Sequence, residues 1–274
     1  MNMKKLLATI AITICAALCA FCAVTEKVKS KAMDKFVNNL VILPDGYEDS
    51  GKSYPVVYLL HGFGDNHETW LRQKPRLPEL ATKHQMIIVC PDGARSWYWD
   101  SPKDPKLRYD TYISKELVKF IDENYRTIKS KNARAIVGLS MGGQGAMYLA
   151  IAHPDVFGAA SSMSGGVDIR PFPNNWDMKK SLGNYESNKE IWDKFAVVNN
   201  VEKIRQNPPA ISIDCGVDDF FYKVNEDLHK KLLELKIPHD YTTRPGKHTW
   251  DYWRNSIEYQ LHFFDTFFKG ELKR

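Results

Sequence analysis

The chain has 274 residues, of which 43% are hydrophobic and 26% are charged, so it can bury one sizeable core and is too apolar to be disordered. Its formal charge is +5, which falls by two to +3 if Lys4 and Lys5 are removed by processing. Because no basic stripe or nucleic-acid motif is visible, we expect no nucleic-acid partner.

The N-terminus has the layout of a secretory signal peptide. Two lysines precede an apolar run over residues 6–24, and Ala20 and Cys22 have the small side chains that a cleavage site prefers. The pattern predicts a signal peptide over residues 1–23, a single domain over residues 24–274, and a secreted or periplasmic protein with no stable membrane partner after cleavage. An uncleaved membrane anchor is the alternative, because a spanning helix needs about 20 apolar residues.

Three of the five cysteines lie within this N-terminal segment, so processing leaves only Cys90 and Cys215. Each lies at the end of an apolar, strand-like run, and neither has the spacing of a metal site. We expect both to be buried thiols. The chemistry described below requires neither a metal nor an organic cofactor.

Strand-like and helix-like patterns alternate from about residue 36 without a linker or an internal repeat, which predicts one α/β domain with a mostly parallel sheet. Segment 168–206 has weak periodicity and several aromatic residues, and we expect it to be an insertion over an edge of the sheet. The predicted strands, in chain order, are residues 36–43, 56–60, 86–90, 135–139, 159–164, 210–215 and 239–243. Helical spacing is found around residues 117–125, 144–150, 228–235 and 253–264.

The strand pattern at residues 135–139 ends in a Gly-x-Ser-x-Gly motif formed by Gly138, Ser140 and Gly142. This motif is typical of the nucleophile elbow of a serine hydrolase, in which a tight strand-to-helix turn lifts the serine out of the backbone. Glycines are needed on both sides because a side chain there would collide with the neighbouring strand and helix. The pattern therefore predicts Ser140 as a nucleophile.

A serine hydroxyl is a poor nucleophile until a base takes its proton, so a histidine and an orienting acid are expected later in the chain. The carboxylates that follow the predicted strand 210–215 favour Asp219 as the acid, with Asp218 and, inside the strand, Asp214 as alternatives. Of the eight histidines, His248 alone lies in the loop after the last predicted strand and follows the acid. It is the predicted base.

Acyl transfer also needs two hydrogen-bond donors for the oxyanion of the tetrahedral intermediate. The amide of Met141, directly after the serine, is the first candidate. The loop at residues 60–64, Leu-His-Gly-Phe-Gly, follows a buried strand and predicts the amide of Phe63 as the second. The alternative is that this loop is an ordinary glycine-rich turn.

Aromatic residues in two segments are candidates for the substrate cleft. Trp97 and Trp99 lie in the loop after the Cys90 strand, and Phe172 and Trp176 lie in the predicted insertion. Aromatic faces suit both sugar rings and phenolic acids, so we expect these four side chains to bind substrate. The alternative is that they pack the loops onto the sheet.

Five motifs together give the chain a resemblance to a known family. They are residues 54–62 (Tyr-Pro-Val-Val-Tyr-Leu-Leu-His-Gly), 91–93 (Pro-Asp-Gly), 138–143 (Gly-Leu-Ser-Met-Gly-Gly), 215–219 (Cys-Gly-Val-Asp-Asp) and 246–248 (Gly-Lys-His). With them the chain resembles the esterase D or putative esterase family of α/β-hydrolases, which includes feruloyl and acetylxylan esterases of carbohydrate esterase family 1.

The resemblance implies an α/β-hydrolase fold, with a mostly parallel central sheet flanked by helices and an insertion after the sixth strand. It implies Ser140 as nucleophile, His248 as base and Asp219 as acid, in agreement with the order of the residues. The family's strand order places four inter-strand steps, roughly 19 Å, between the Cys90 and Cys215 strands, which is too far for a disulfide.

The expected function is a secreted serine esterase that releases feruloyl or acetyl groups from plant cell-wall polysaccharide such as xylan. Another esterase, a thioesterase similar to S-formylglutathione hydrolase, or an acyltransferase of the same fold is the first alternative. A non-catalytic carbohydrate-binding protein on the same frame is the second. In every case the expected partner is an ester or a sugar polymer.

Overall fold

The computed structural model describes residues 23–272, and the predictions made for residues 1–22 lie outside the described residues. Within residues 23–272, eight strands form one sheet in the order β1-β2-β4-β3-β5-β6-β7-β8. The strands are β1 Ala23–Ser30, β2 Lys35–Ile42, β3 Val56–Leu60, β4 Ile87–Pro91, β5 Arg134–Leu139, β6 Ala159–Met163, β7 Ala210–Gly216 and β8 Asp240–Arg244.

The sheet is parallel from β4 through β8, and only β2 is antiparallel to both of its neighbours. Every residue of β3, β4, β5, β6 and β7 is buried, as expected for parallel strands covered on both faces. All seven predicted strands are present. The predicted α/β sheet is therefore confirmed.

Strand β1 was not predicted. It pairs with β2 over its whole length, from Ala23 opposite Ile42 to Ser30 opposite Lys35. Only Val28 and Ser30 of the strand are buried. An edge strand with so few inward apolar side chains has too weak an alternation to be distinguished from a polar segment.

Helices cover both faces of the sheet. The α-helices are α1 Tyr47–Ser50, α2 Thr69–Gln73, α3 Leu77–Lys83, α4 Tyr109–Thr111, α5 Val118–Asn124, α6 Met141–Ala152, α7 Met178–Leu182, α8 Lys189–Phe195, α9 Val197–Asn200, α10 Tyr222–Glu234 and α11 Trp250–Phe268. A π-helical segment, Tyr112–Leu117, joins α4 to α5, and three short 3₁₀ helices are Lys131–Ala133, Tyr185–Ser187 and Val201–Ile204.

Alternate residues of the central strands contribute to two hydrophobic cores, one on each face. Tyr58 and Leu60 of β3 pack with the elbow helix α6 and with the insertion on one side. Val57 and Leu59 pack with α2, α3 and α11 on the other side. The sheet thus forms a rigid platform, and the loops at its carboxyl edge are held between the two layers.

The segment between β6 and β7 is the predicted insertion, and Trp99 Nε1 of the loop after β4, at the carboxyl edge of the sheet, donates to its Ser181 Oγ at 2.7 Å. It packs on helix α6, where Gln144 donates from Nε2 to the Phe195 carbonyl at 2.8 Å and the Tyr148 and Phe195 rings lie 5.6 Å apart. Phe195 also contacts the ring of Trp99 at 5.0 Å. The insertion therefore covers helix α6 and the loop after β4.

The two cysteines of the described chain are free and buried, as predicted. Cys90 on β4 and Cys215 on β7 are four steps apart in the sheet order. Burial raises the pKa of both thiols well above the usual value. Among residues 23–272, no helix has the length and apolar character needed to cross a membrane.

Candidate active site

Ser140 lies alone between the end of β5 at Leu139 and the start of α6 at Met141. Its φ is +54°, in a region that non-glycine residues seldom occupy. The Ser140 amide donates to the Met163 carbonyl at 3.0 Å, and its carbonyl accepts from the Gln144 amide at 3.1 Å. These bonds to β6 and to the helix hold the serine in its strained turn.

The two glycines of the motif are required by close backbone contacts. A Cβ atom at Gly138 would lie 2.4 Å from the backbone of Gly142. A Cβ atom at Gly142 would lie 2.6 Å from the Leu60 carbonyl oxygen and 2.7 Å from that of His61. Because none of these obstacles is a movable side chain, the tight strand-to-helix turn excludes larger residues at both positions.

The structure brings Ser140, His248 and Asp219 into one hydrogen-bonded chain. His248 Nε2 lies 2.9 Å from Ser140 Oγ. His248 Nδ1 lies 2.8 Å from Asp219 Oδ2 and 3.0 Å from Oδ1. In this arrangement the carboxylate accepts from Nδ1–H and leaves Nε2 free to take the serine proton.

Asp219, and not Asp218 or Asp214, occupies the position of the orienting acid. Its carboxylate is fully buried and also accepts from the Phe221 amide at 2.8 Å. Asp218 is exposed to solvent. Asp214 is buried in β7 and is bonded to side chains of α11 and β8, including Ser256 Oγ at 2.5 Å.

Aromatic rings surround the imidazole of His248. The Phe220 ring lies over it at 4.2 Å between centroids, and the Trp253 ring meets it edge-on at 4.8 Å and 90°. Phe221 contacts it at 5.4 Å. These contacts restrict rotation of the ring and keep water from one of its faces.

Sequence reasoning missed Phe220, which is 52% exposed although it is a large apolar residue. The signal in the sequence was the pair of phenylalanines directly after the predicted acid.

The loop at residues 60–64 lies beside the serine. A Cβ atom on Gly62 would lie 3.8 Å from Ser140 Cβ. Phe63 follows Gly62 in the sequence. Within residues 23–272, neither the Phe63 amide nor the Met141 amide donates to a protein acceptor. The Met141 amide directly follows the serine, and the Phe63 amide directly follows Gly62, so both predicted oxyanion donors remain candidates whose N–H groups have no partner among these residues.

His61 fixes the shape of this loop. Its Nε2 accepts from the Gly93 amide at 2.8 Å, which leaves Nδ1 to carry the proton and to donate to the Gly62 carbonyl at 2.8 Å. The imidazole is fully enclosed, with 1% of the residue exposed. His61 is thus a structural element of the loop and does not reach Ser140.

Tyr98 also holds the loop at residues 60–64 in place. Its hydroxyl donates to the His61 carbonyl at 3.1 Å, and burial raises the pKa of Tyr98 well above the usual value, so that the group stays a donor. The ring fills space beside Gly93 and Gly145, where an added Cβ would lie 2.2 Å and 2.6 Å from it. Both glycines make room for this one side chain.

Trp97 and Trp99 do not line the cleft, and their prediction as substrate-binding residues is wrong. They are 1% and 0% exposed, and their rings stack on each other at 5.7 Å. Trp99 Nε1 donates to Ser181 Oγ at 2.7 Å in the insertion. The two tryptophans are buried because they join the loop after β4 to the insertion.

Phe172 and Trp176 are partly exposed and lie near the predicted base. The Trp176 ring stacks on Phe220 at 5.8 Å with the planes 20° apart, and Phe172 packs on Trp176 at 5.7 Å. Through Phe220 this group extends to His248. We call Phe172, Trp176 and Phe220 the aromatic wall.

The described residues do not bring together three or more histidine, cysteine, aspartate or glutamate side chains in a way that could hold a metal ion. Their chemistry is instead that of a serine, a histidine and a carboxylate beside two backbone donors.

The chain matches the family model described as "Putative esterase" over residues 30–264. It belongs to the Putative esterase family. An esterase of Mycobacterium tuberculosis is 28% identical over an alignment of 234 positions that covers 76% of this chain and 51% of that protein. The chain therefore spans about half the length of that relative.

Two further comparisons cover nearly the whole of their counterparts. An acetyl esterase of Caldicellulosiruptor saccharolyticus is 25% identical over an alignment of 247 positions that covers 83% of this chain and 92% of that protein. The solved structure of a ferulic acid esterase is 28% identical with a TM-score of 0.76, covering 89% of this chain and 98% of the other. The predicted family and α/β-hydrolase fold are confirmed.

Proposed function

We propose that the protein is a serine carboxylic-ester hydrolase in which Ser140 is the nucleophile. The observation that carries this proposal is the continuous chain from the buried Asp219 carboxylate through His248 to Ser140 Oγ, at 2.8 Å and 2.9 Å. The strained elbow and the two available amides beside it are the other parts that acyl transfer needs.

In the proposed reaction, Ser140 Oγ attacks the ester carbonyl carbon while His248 Nε2 takes its proton. The amides of Phe63 and Met141 donate to the oxyanion, and Asp219 stabilises the imidazolium through Nδ1–H. The C–O bond to the alcohol then breaks, and His248 protonates the departing oxygen. Water repeats the sequence on the acyl-enzyme and releases the acid.

We further propose that the acyl group is aromatic, with feruloyl as the leading candidate. The aromatic wall offers a flat apolar surface that ends at the imidazole, and an aromatic ring stacked there is favoured by about 0.5–1.5 kcal/mol beyond its buried area. The 28% identity to a ferulic acid esterase over nearly all of that chain supports the same substrate class.

Release of acetyl groups is the second candidate. The acetyl esterase of Caldicellulosiruptor saccharolyticus aligns over 92% of its own length, so its reaction is compatible with the same frame. In either case the proposed alcohol is a plant cell-wall polysaccharide such as xylan, acting as the polymeric partner.

We also propose that the protein is exported, because two lysines and an apolar run over residues 6–24 have the layout of a signal peptide. Expression of the full chain in a bacterial host, followed by N-terminal sequencing of the periplasmic or external fraction, tests this. A new N-terminus near residue 23 is expected. A full-length protein retained in the membrane would contradict export by cleavage.

The function is tested by incubating the purified protein with methyl ferulate, acetylated xylan and a short p-nitrophenyl ester. Ser140→Ala should lower kcat by about 10³-fold or more on every substrate that the protein cleaves. Ser187→Ala, which changes an exposed serine of the insertion, is the matched control and should retain full activity.

Ferulate release that depends on Ser140 supports both the mechanism and the acyl group. If the protein cleaves only the p-nitrophenyl ester, the result would support a serine hydrolase but reject the proposed cell-wall substrate. Hydrolysis that persists in Ser140→Ala would reject the proposed nucleophile.

A further inference from the structure

A groove separate from the Ser140 site lies between edge strand β1 and the helical segment that runs from residue 112 to residue 124. It has a volume of about 580 Å³, and most of its polar lining is lysine. Its lining includes Lys27, Lys29, Lys31, Phe36, Lys115 and Lys119. We call it the basic groove.

The two walls of the basic groove are tied together by one glutamate. Glu116 accepts from Ser30 Oγ at 2.6 Å and from the amides of Lys31 and Ala32 at 2.9 Å each. Its charge is therefore committed to the β1–β2 turn. The groove is preformed, because hairpin and helix cannot separate without losing these three bonds.

Three lysines of the groove are not neutralised. Lys29 pairs with Asp34 at 2.6 Å and Lys119 with Glu123 at 3.7 Å. Within residues 23–272, Lys27, Lys31 and Lys115 have no carboxylate within ion-pair distance.

This positive charge is local. The formal charge of +5 includes Lys4 and Lys5, so the chain from residue 23 onwards carries +3. Lysines concentrated in one groove of a chain with so small a net charge produce a local attraction for anions.

The apolar part of the groove is an exposed aromatic ring. Phe36 is 66% exposed, and the Lys29 ammonium lies 5.5 Å from its ring centre. A flat exposed ring beside cations fits a pyranose ring that carries a carboxylate. Lysines on an edge strand also discourage pairing with other strands, but Lys115 and Lys119 lie on the helical wall, where that purpose does not apply.

The groove lies at the same edge of the sheet as Ser140. β2 is antiparallel to β4, with Asn39 opposite Pro91, so the β1–β2 turn extends from the carboxyl edge of the parallel strands. In the sheet order four steps separate β1 from β5, which is about 19 Å. A polymer that crosses this edge can contact both places at once.

We propose that the basic groove binds a polysaccharide chain that carries uronate groups and so holds an acidic polymer across the carboxyl edge of the sheet. The carboxylates pair with Lys27, Lys31 and Lys115, and one sugar ring packs on Phe36. The choice of a polysaccharide rests on the proposed function, whereas the preference for negative charge rests on the groove alone.

The test uses native gels that contain polygalacturonate, which has no ester to cleave, so binding is measured whether or not the protein is an esterase. The double variant Lys31→Gln/Lys115→Gln should raise the dissociation constant about fivefold or more. Lys52→Gln/Lys129→Gln removes the same charge from exposed positions at the opposite edge, near the Tyr54 and Ile128 pairing, and should change it less than about twofold.

Phe36→Ala should weaken retardation by polygalacturonate about threefold, through loss of the stacking surface. Melting temperatures of all variants show that they are folded. An equal rise in the dissociation constant in the two double-lysine variants would overturn the proposal, because net charge alone would then explain binding. Tighter retardation by single-stranded DNA than by polygalacturonate would also overturn it, in favour of a nucleic-acid site.

Discussion

Two buried carboxylates near the end of β7, Asp214 and Asp219, have opposite surroundings. Asp214 is fully buried and its oxygens are taken by four side chains of the surrounding β8 and α11. These partners are Arg244, Tyr252, Ser256 and Gln260. Asp219 has one backbone donor and the imidazole of His248, which leads on to Ser140 at the surface of the sheet edge.

The difference shows that burial and hydrogen bonding of a carboxylate do not by themselves identify a catalytic group. The hydrogen bonds of Asp214 end on side chains that are themselves fixed in β8 or α11. This cluster therefore joins helix α11 to the sheet. The Asp219 chain is open, because it ends on a hydroxyl that can react. We infer that Asp214 contributes to stability and Asp219 to chemistry.

The largest difference between the effect on catalysis and the effect on stability is expected from Asp219→Asn. The amide can donate to Nδ1 and thereby favour the imidazole tautomer that cannot take the Ser140 proton. We expect kcat to fall by about 10³-fold or more while the melting temperature changes little, measured by ester hydrolysis and by circular dichroism. A variant that keeps near-normal activity would remove Asp219 from the mechanism.

The reverse pattern is expected from Asp214→Asn. Loss of the buried charge leaves Arg244 without its partner and weakens the bonds to α11, at a cost of about 3 kcal/mol. Urea denaturation should show this loss in the free energy of unfolding, whereas kcat of the folded fraction should fall by less than about tenfold. If activity were abolished without a loss of stability, the two carboxylates would have to exchange roles.

A smaller effect is expected from Tyr98→Phe, which removes the hydroxyl that supports the His61 carbonyl. If loss of this hydrogen bond raises the activation free energy by about 1 kcal/mol, kcat falls about fivefold. Tyr112→Phe is the matched control, since its buried hydroxyl bonds Asn39 of β2 at 2.8 Å and not the oxyanion loop. The control should lose stability but keep kcat, and equal kcat in the two variants would contradict a role for Tyr98 in the loop.

The smallest effect concerns Cys215, which lies next to Asp214 on β7. Burial raises the pKa of its thiol, so alkylation by iodoacetamide should be slow in the folded protein. Asp214→Asn should accelerate the reaction and Asp219→Asn should not, as read by mass spectrometry with Cys90 as internal reference. Equal acceleration in both variants would mean that the Asp219 chain also holds β7 in place.

The parts of the site that were predictable are those in which backbone geometry restricts residue type. Gly138 and Gly142 have no room for a Cβ, and Ser140 must follow a strand and precede a helix, so the motif and its place were recognisable. His248 and Asp219 followed from the order of strands, because the carboxyl ends of parallel strands meet at one edge.

The parts that were not predictable depend on how distant segments pack. Trp97 and Trp99 have the residue type of a binding surface, and only the contact with the insertion buries them. Phe220 and β1 were missed for the converse reason, because an exposed ring and a polar edge strand leave no periodic pattern. Side-chain exposure is a property of tertiary contacts and not of the local sequence.

The most direct test of the central claim is covalent labelling with a phosphonate ester probe, followed by peptide mapping. Such a probe reacts with a serine only when a base activates it and an oxyanion site accepts the phosphoryl oxygen. We predict one label, on Ser140, that is absent in Ser140→Ala and strongly reduced in His248→Ala. A label on another serine, or ester turnover by a protein that the probe does not modify, would contradict the account.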